Sequence, residues 1–218
     1  MAIKREKPYI WVTWLTRLLS GDSSCEWSAQ FKALHEGRSY SKVVTDFNAT
    51  QWQIDHTNLL NKTRSVLEST GSIVYTEGQN FFNLQGKSAT LSGKPDLVTI
   101  NGSDGVIYDA KTGEQSVSHQ IQVLIYMYAL PRALPQYHNV KFEGKLIYSD
   151  NEVFIPSNGV NQNFINKLGS LIRTISSPSL ARKVPSAQEC RFCTITTSDC
   201  QERIESPQMD PTQLTEDF

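Results

Sequence analysis

Residues 93–115, GKPDLVTINGSDGVIYDAKTGEQ, read as a β-hairpin that carries charge where a sheet normally carries apolar side chains. ATLSGKPDLVTI and GVIYDAKT are its strands, and NGSDG between them is a turn signal. Asp109 and Lys111 stand two residues apart, so on a strand they leave the same face. Whether Asp96 joins them depends on register. Opposite Asp109 or Lys111 it shares their face; opposite Ala110 it points the other way. Pro95 has no N–H for a ladder, so a bend or bulge is expected beside Asp96.

Two carboxylates that close do not both stay ionised at neutral pH without compensation. A divalent cation supplies it, and hard oxygen ligands suit Mg²⁺ or Mn²⁺. Lys111 alongside can orient a metal-bound water or neutralise charge that builds on a phosphate. The alternative is a surface strand face that carries a plain salt bridge.

Outward from the hairpin, residues 8–19 (PYIWVTWLTRLL) read as an amphipathic helix rather than a signal peptide, because Arg17 breaks the apolar run. Residues 26–36 read as a helix with Trp27, Phe31 and Leu34 on one face and Gly37 as its stop. A longer helix covers 49–69, with Asn48 as cap and Gln51 at the capping-box position. Its stripe is Trp52, His56, Leu59, Leu60, Thr63 and Leu67, and Gly71 ends it. Residues 72–84 (SIVYTEGQNFFNL) read as a first, irregular strand. After the hairpin come a helix over 118–130 that stops before Pro131, a second hairpin that turns at Asp150–Asn151, and a helix over 161–175. This order predicts an α/β (α+β) fold, a mixed central sheet flanked by helices.

The spacing G-K-P-D, twelve residues, D-A-K, then Q-V-L-I-Y resembles the PD-(D/E)XK nuclease superfamily, in particular its RecB-like branch. Gly93 and Asp96 match GxxD, Asp109 and Lys111 match (D/E)xK, and Gln122 and Tyr126 match QxxxY. The resemblance implies a restriction-endonuclease-like core, an acidic pair on a divalent metal, and a lysine that assists phosphodiester hydrolysis. Gln122 and Tyr126, at i and i+4 of one helix, would lie beside the DNA strand or the lysine; the alternative is an ordinary packing face. RecB-like members also use a helical histidine as a metal ligand. His56 is the best match, with a buried structural histidine as its alternative and His35 as its competitor. His119 precedes the QxxxY helix proper and can approach substrate, and Glu77 can either aid the site or face solvent.

Four cysteines remain: Cys25 upstream of this core, and Cys190, Cys193 and Cys200 within eleven residues downstream. Without a secretory signal a disulfide framework is disfavoured, and a C-x2-C pair suggests a metal or cluster site. By themselves they suit structural zinc. Their distribution resembles the iron–sulfur nucleases of the RecB-like branch, including the CRISPR-associated Cas-four exonucleases and AddB-type nuclease domains. In those, one N-terminal cysteine and a C-terminal trio hold a [4Fe–4S] cluster, a cap that joins the two ends of the chain.

With 218 residues, 39% hydrophobic and 20% charged, the composition is that of an ordinary globular chain. A net charge of −1 gives no global pull toward nucleic acid, so DNA contact would rest on local patches. Candidates are Lys62, Lys87, Lys94 and Lys111 near the hairpin, and Arg182, Lys183 and Arg191 before the cysteine trio. No run approaches membrane-spanning length. The expectation is therefore a cytoplasmic, Mg²⁺- or Mn²⁺-dependent deoxyribonuclease. It comprises one domain over 1–204 with the cluster cap, and an acidic, disordered tail over 205–218. The resemblance favours an exonuclease on single-stranded DNA or single-stranded ends, in CRISPR adaptation with its proteins as partners or in DNA repair. The rivals are a non-catalytic DNA-binding module on the same scaffold and a zinc-stabilised interaction protein.

Overall fold

The structure is a computed structural model that describes residues 2–44 and 48–205; the tail expected from 205 onward lies, past its first residue, outside the described residues. Two sheets form the centre. The smaller holds β1 (Tyr9–Trp11), β4 (Thr90–Gly93) and β3 (Phe82–Gln85) in the order β1-β4-β3. The larger has the order β2-β5-β6-β7-β8, from Val74–Thr76, Leu97–Asn101, Asp104–Ala110, Lys141–Ile147 and Glu152–Ile155. Its pairings are antiparallel except for β6 with β7, which are parallel. A parallel neighbour needs a long crossover, and helix α5 (Val117–Ala133) supplies it. The result is the mixed α/β fold that the sequence predicts.

The sequence spells out both faces of the large sheet. Val98 and Ile107 join the main core beneath α5, with Val123, Ile125, Leu130 and Leu146. Leu97, Tyr108 and Ile147 face the other way, against Leu59, Leu60 and Leu67 of helix α3 (Ala49–Ser69). Strands covered on both sides read as near-continuous apolar runs, as β5 and β6 do. Helices α1 (Thr16–Ser20), α2 (Glu26–Leu34) and α6 (Gln162–Ser176) close the far side, and α6 buries Phe164, Leu168, Leu171 and Ile175 at helical spacing.

Several expectations hold in detail. Asn48 caps α3 by accepting from the Gln51 N–H at 3.0 Å. Gln51 does not reach back, however, and its side chain binds Asp55 instead. His56, Leu59, Leu60, Thr63 and Leu67 are the half-buried side of that helix, whereas Trp52 is 43% exposed. The NGSDG turn is tight, with Asn101 paired to Asp104 and Gly102 at φ 62°. The second hairpin closes where expected, through a Tyr148 N–H to Asn151 C=O bond.

Five expectations are corrected. Residues 8–19 are not one helix: β1, a single 3-10 turn and α1 share them, because Tyr9–Trp11 is drawn into parallel pairing with Thr90–Ser92. Residues 72–84 are two strands in different sheets, split by the one-turn helix α4 (Glu77–Asn80). Residues 89–100 are likewise two strands, β4 and β5, because Lys94-Pro95-Asp96 breaks the ladder and hands the chain from one sheet to the other. Helix α5 runs through Pro131 to Ala133, held by packing on β7 and β3 that outweighs one lost bond. Helix α2 ends at Leu34, with His35 extended, before the expected Gly37 stop.

Candidate active site

The break at Pro95 decides the site. The β5–β6 register pairs Leu97 with Tyr108, and one further step sets Asp96 opposite Asp109. Asp96 is released from the strand at that step. Its Oδ2 accepts the Ala110 N–H at 2.8 Å, a side chain standing in for a ladder partner at the end of β6. His56, on the half-buried side of α3, brings Nε2 to 3.4 Å from the same Oδ2. That contact, above all its hydrogen bond, lifts the His56 pKa above the usual imidazole range.

Asp109 leaves β6 on the face that α5 covers and is buried. Burial, only partly offset by Lys111, pushes its carboxyl up to about 6. Lys111 Nζ stands 2.6 Å from Asp109 Oδ2. That oxygen nevertheless makes no well-directed hydrogen bond and is the one orphaned buried side-chain polar atom among the described residues. Gln122, on α5, ties the group together. Its Oε1 accepts from Lys111 Nζ at 3.1 Å, and its Nε2 donates to Asp109 Oδ1 at 3.2 Å and to the Tyr126 hydroxyl at 3.0 Å. A carboxylate on one side and an ammonium on the other fix the orientation of this amide. Tyr126 is buried, and loss of water drives its pKa up, so it stays protonated.

All six expected residues, from α3, β6, α5 and the segments at the ends of β4 and β6, line one cavity of about 930 Å³. Glu77, Lys94, His119, Trp11, Trp52 and Phe192 are also among its walls. Glu77 does not face solvent alone: it holds Lys94 Nζ at 2.9 Å. Trp11 and Phe192 escape the sequence reading, since no local pattern brings β1 or the cysteine segment to this cavity. His35 is not part of it; its ring stacks on Phe31. Of the basic candidates Lys94 and Lys111 line this cavity; Lys62 faces a separate groove between α3 and the β7–β8 hairpin.

The donor set suits a divalent cation: two close carboxylates, one with a buried oxygen lacking a hydrogen bond, and an imidazole beside them. Among the described residues, no three such side chains stand within ion-holding distance. The compensating charge at Asp109 is the Lys111 ammonium.

The four cysteines, all free, line a second cavity of about 140 Å³. Cys190 sits on helix α7 (Ala187–Arg191), and Cys25 immediately precedes α2. Two of the sulfurs face backbone donors, Cys25 from Val184 N–H at 3.5 Å and Cys190 from Ile204 N–H at 3.4 Å. Lys32, Lys183 and Arg203 line the same cavity. Thiols, N–H donors and cations together suit a thiolate-bound centre, although the same distance limit applies here. None of the helices is long and apolar enough to cross a membrane among the described residues.

No curated protein matches the chain. Thirteen chains of solved structures do match. One, titled "Crystal structure of SSO0001", has 18% sequence identity and a TM-score of 0.49, covering 97% of this chain and 89% of that one. The family model of the PD-(D/E)XK nuclease superfamily matches residues 26–198, from the helix after Cys25 to the last cysteine loop. With that match over most of its length, the chain belongs to the PD-(D/E)XK nuclease superfamily.

Proposed function

We propose that this chain is a Mg²⁺- or Mn²⁺-dependent deoxyribonuclease of the RecB-like branch, acting as an exonuclease on single-stranded DNA or single-stranded ends. The observation that carries this reading is the convergence of His56, Asp96, Asp109, Lys111, Gln122 and Tyr126 on one cavity. Asp96, Asp109 and His56 are the residues to hold the ion. When bound, the ion supplies a water of lowered pKa and neutralises charge on the phosphate. Lys111 orients the attacking water, and Gln122 fixes where the ammonium of Lys111 points. Tyr126 locks Gln122 from the other side.

Cys25, Cys190, Cys193 and Cys200, which line the second cavity, are the residues to hold a [4Fe–4S] cluster, with zinc as the alternative. Its role is structural, within one nuclease domain over 1–204. The biological settings that fit such an enzyme are CRISPR adaptation, with the proteins of that process as partners, and DNA repair, both in the cytoplasm.

End-labelled single- and double-stranded DNA incubated with Mn²⁺, Mg²⁺ or EDTA tests the activity. Cleavage of the single-stranded substrate with either ion, none with EDTA, and a loss of at least a hundredfold in Lys111→Ala are expected. Wild-type rates in Lys111→Ala would remove the mechanism. DNA that is bound but never cut would leave a binding module in its place.

A further inference from the structure

The cavity presents a puzzle of charge. A phosphodiester strand is anionic, yet each basic side chain that lines its acidic floor is already engaged with a carboxylate: His56 with Asp96, Lys94 with Glu77, Lys111 with Asp109. The second imidazole of the cavity stands outside these three pairings. His119 lies in the first turn of α5, lines the same cavity, and makes its ring contact with an uncharged group. Its Nδ1 stands 2.9 Å from the Tyr148 hydroxyl.

Tyr148 is well placed to hold it. The residue follows β7, is 8% exposed, and is pinned by its own N–H to the Asn151 carbonyl across the second hairpin. The Ser116 backbone lies beside the same hydroxyl, so the phenolic proton is free to turn toward Nδ1. With Nδ1 accepting, the proton of a neutral imidazole sits on Nε2, the nitrogen that Tyr148 does not occupy. Burial and the Lys111 ammonium both hold the His119 pKa below the usual range, which keeps the ring neutral near pH 7. A neutral ring adds a donor without adding repulsion toward Lys111. The N-terminal end of α5, capped by the Ser116 side chain on Ser118 N–H, gives the same spot a positive dipole.

We propose that His119, oriented by the Tyr148 hydroxyl, donates from Nε2 to a non-bridging oxygen of the DNA phosphodiester bound in this cavity. His119 is then a substrate-contacting residue and Tyr148 a positioning residue. The proposal rests on the nuclease reading and deepens it.

The test uses the full chain, an end-labelled single-stranded oligonucleotide and Mn²⁺, with kcat and KM measured separately for wild type, His119→Ala, His119→Gln and Tyr148→Phe. A hydrogen bond to a charged group, made before and during reaction, predicts that His119→Ala raises KM by about tenfold or more with a smaller change in kcat. His119→Gln keeps an N–H donor and recovers most of the loss. Tyr148→Phe shifts KM the same way by less. A purely structural role would instead lower the thermal midpoint and leave KM alone, so melting curves accompany each variant. Wild-type KM in His119→Ala and His119→Gln, or a loss confined to kcat, overturns the proposal. Anisotropy of the same oligonucleotide in EDTA reads the contact independently of turnover. If wild type binds DNA but does not cut it, the nuclease reading falls and equal binding by His119→Ala overturns this one too.

Discussion

Asp109 sits where folding alone would not choose to put a carboxylate. It is 1% exposed, its Oδ2 lacks a hydrogen bond, and its pKa rises from an ordinary 3.8 to about 6. The folded state therefore binds its proton more tightly than the unfolded chain does. Between about pH 4 and 6 the native protein holds more protons, so stability falls as pH rises through that window and then levels off. A shift of this size corresponds to a penalty on the order of 3 kcal/mol above pH 6, in the absence of a metal ion. Asp109→Asn mimics the protonated acid. It is expected to raise the thermal midpoint of metal-free protein at pH 8 and to leave it nearly unchanged at pH 4, while abolishing cleavage. Melting curves at the two pH values check this, and a variant that melts lower than wild type at pH 8 would contradict it. The shared side of Asp109 and Lys111 was legible in their spacing, whereas the place of Asp96 waited on the strand register. The triple role of Gln122 was not, because only a folded helix sets its amide between an acid, a base and a phenol.

At the level of elements, local periodicity carried the reading as far as local forces decide the outcome. Helix α3 follows its stripe and its Asn48 cap, and the second hairpin turns at its Asp-Asn pair. Where a distant partner decides, the pattern misleads: Tyr9–Trp11 looks helical but pairs with Thr90–Ser92, some eighty residues away. The split in residues 72–84 did carry a signal. Thr76-Glu77-Gly78-Gln79 is a capping box, with Gln79 accepting the Thr76 N–H at 2.9 Å. Gly93 shows how an element shapes the site. A Cβ there would meet Tyr126 Cε1 at 2.7 Å and Phe82 Cε1 at 2.8 Å. The last residue of β4 thus leaves room for the Tyr126 ring, whose hydroxyl accepts from Gln122. Gly93→Ala is expected to cost about 1–3 kcal/mol in chemical denaturation, through overpacking. It should also reduce kcat, because Tyr126 must move. An unchanged denaturation midpoint with unchanged kcat would show that the contact is not limiting.

Over the whole molecule, the two ends meet across little apolar surface. The shared cluster is small: Trp27, Phe31, Ile195 and Cys200, with Cys25, Cys193, Tyr40 and Ala2 around it. Polar ties do much of the joining. Glu189 accepts from Ser23 Oγ at 2.6 Å and Ser24 N–H at 2.5 Å, linking α7 to the segment before Cys25. Arg203 donates to three carbonyls, Cys193 at 2.8 Å, Ile195 at 2.9 Å and Cys190 at 3.0 Å, and so gathers the cysteine loop. A centre on four thiolates would add a crosslink between Cys25 and the C-terminal trio, and closing so long a loop removes much freedom from the unfolded chain. Protein purified without air should then be brown with broad absorption near ~400 nm if the centre is iron–sulfur, or colourless and zinc-loaded if it is not. Cys200→Ser is expected to lose the metal and to melt well below wild type. Arg203→Ala should lose part of it, since the loop is no longer gathered before the metal arrives. Lys111→Ala, in the other cavity, should keep its full complement. Full metal content in Cys200→Ser, or a wild-type midpoint that does not change when the metal is stripped, would leave the two segments joined by the polar ties and the small apolar cluster alone.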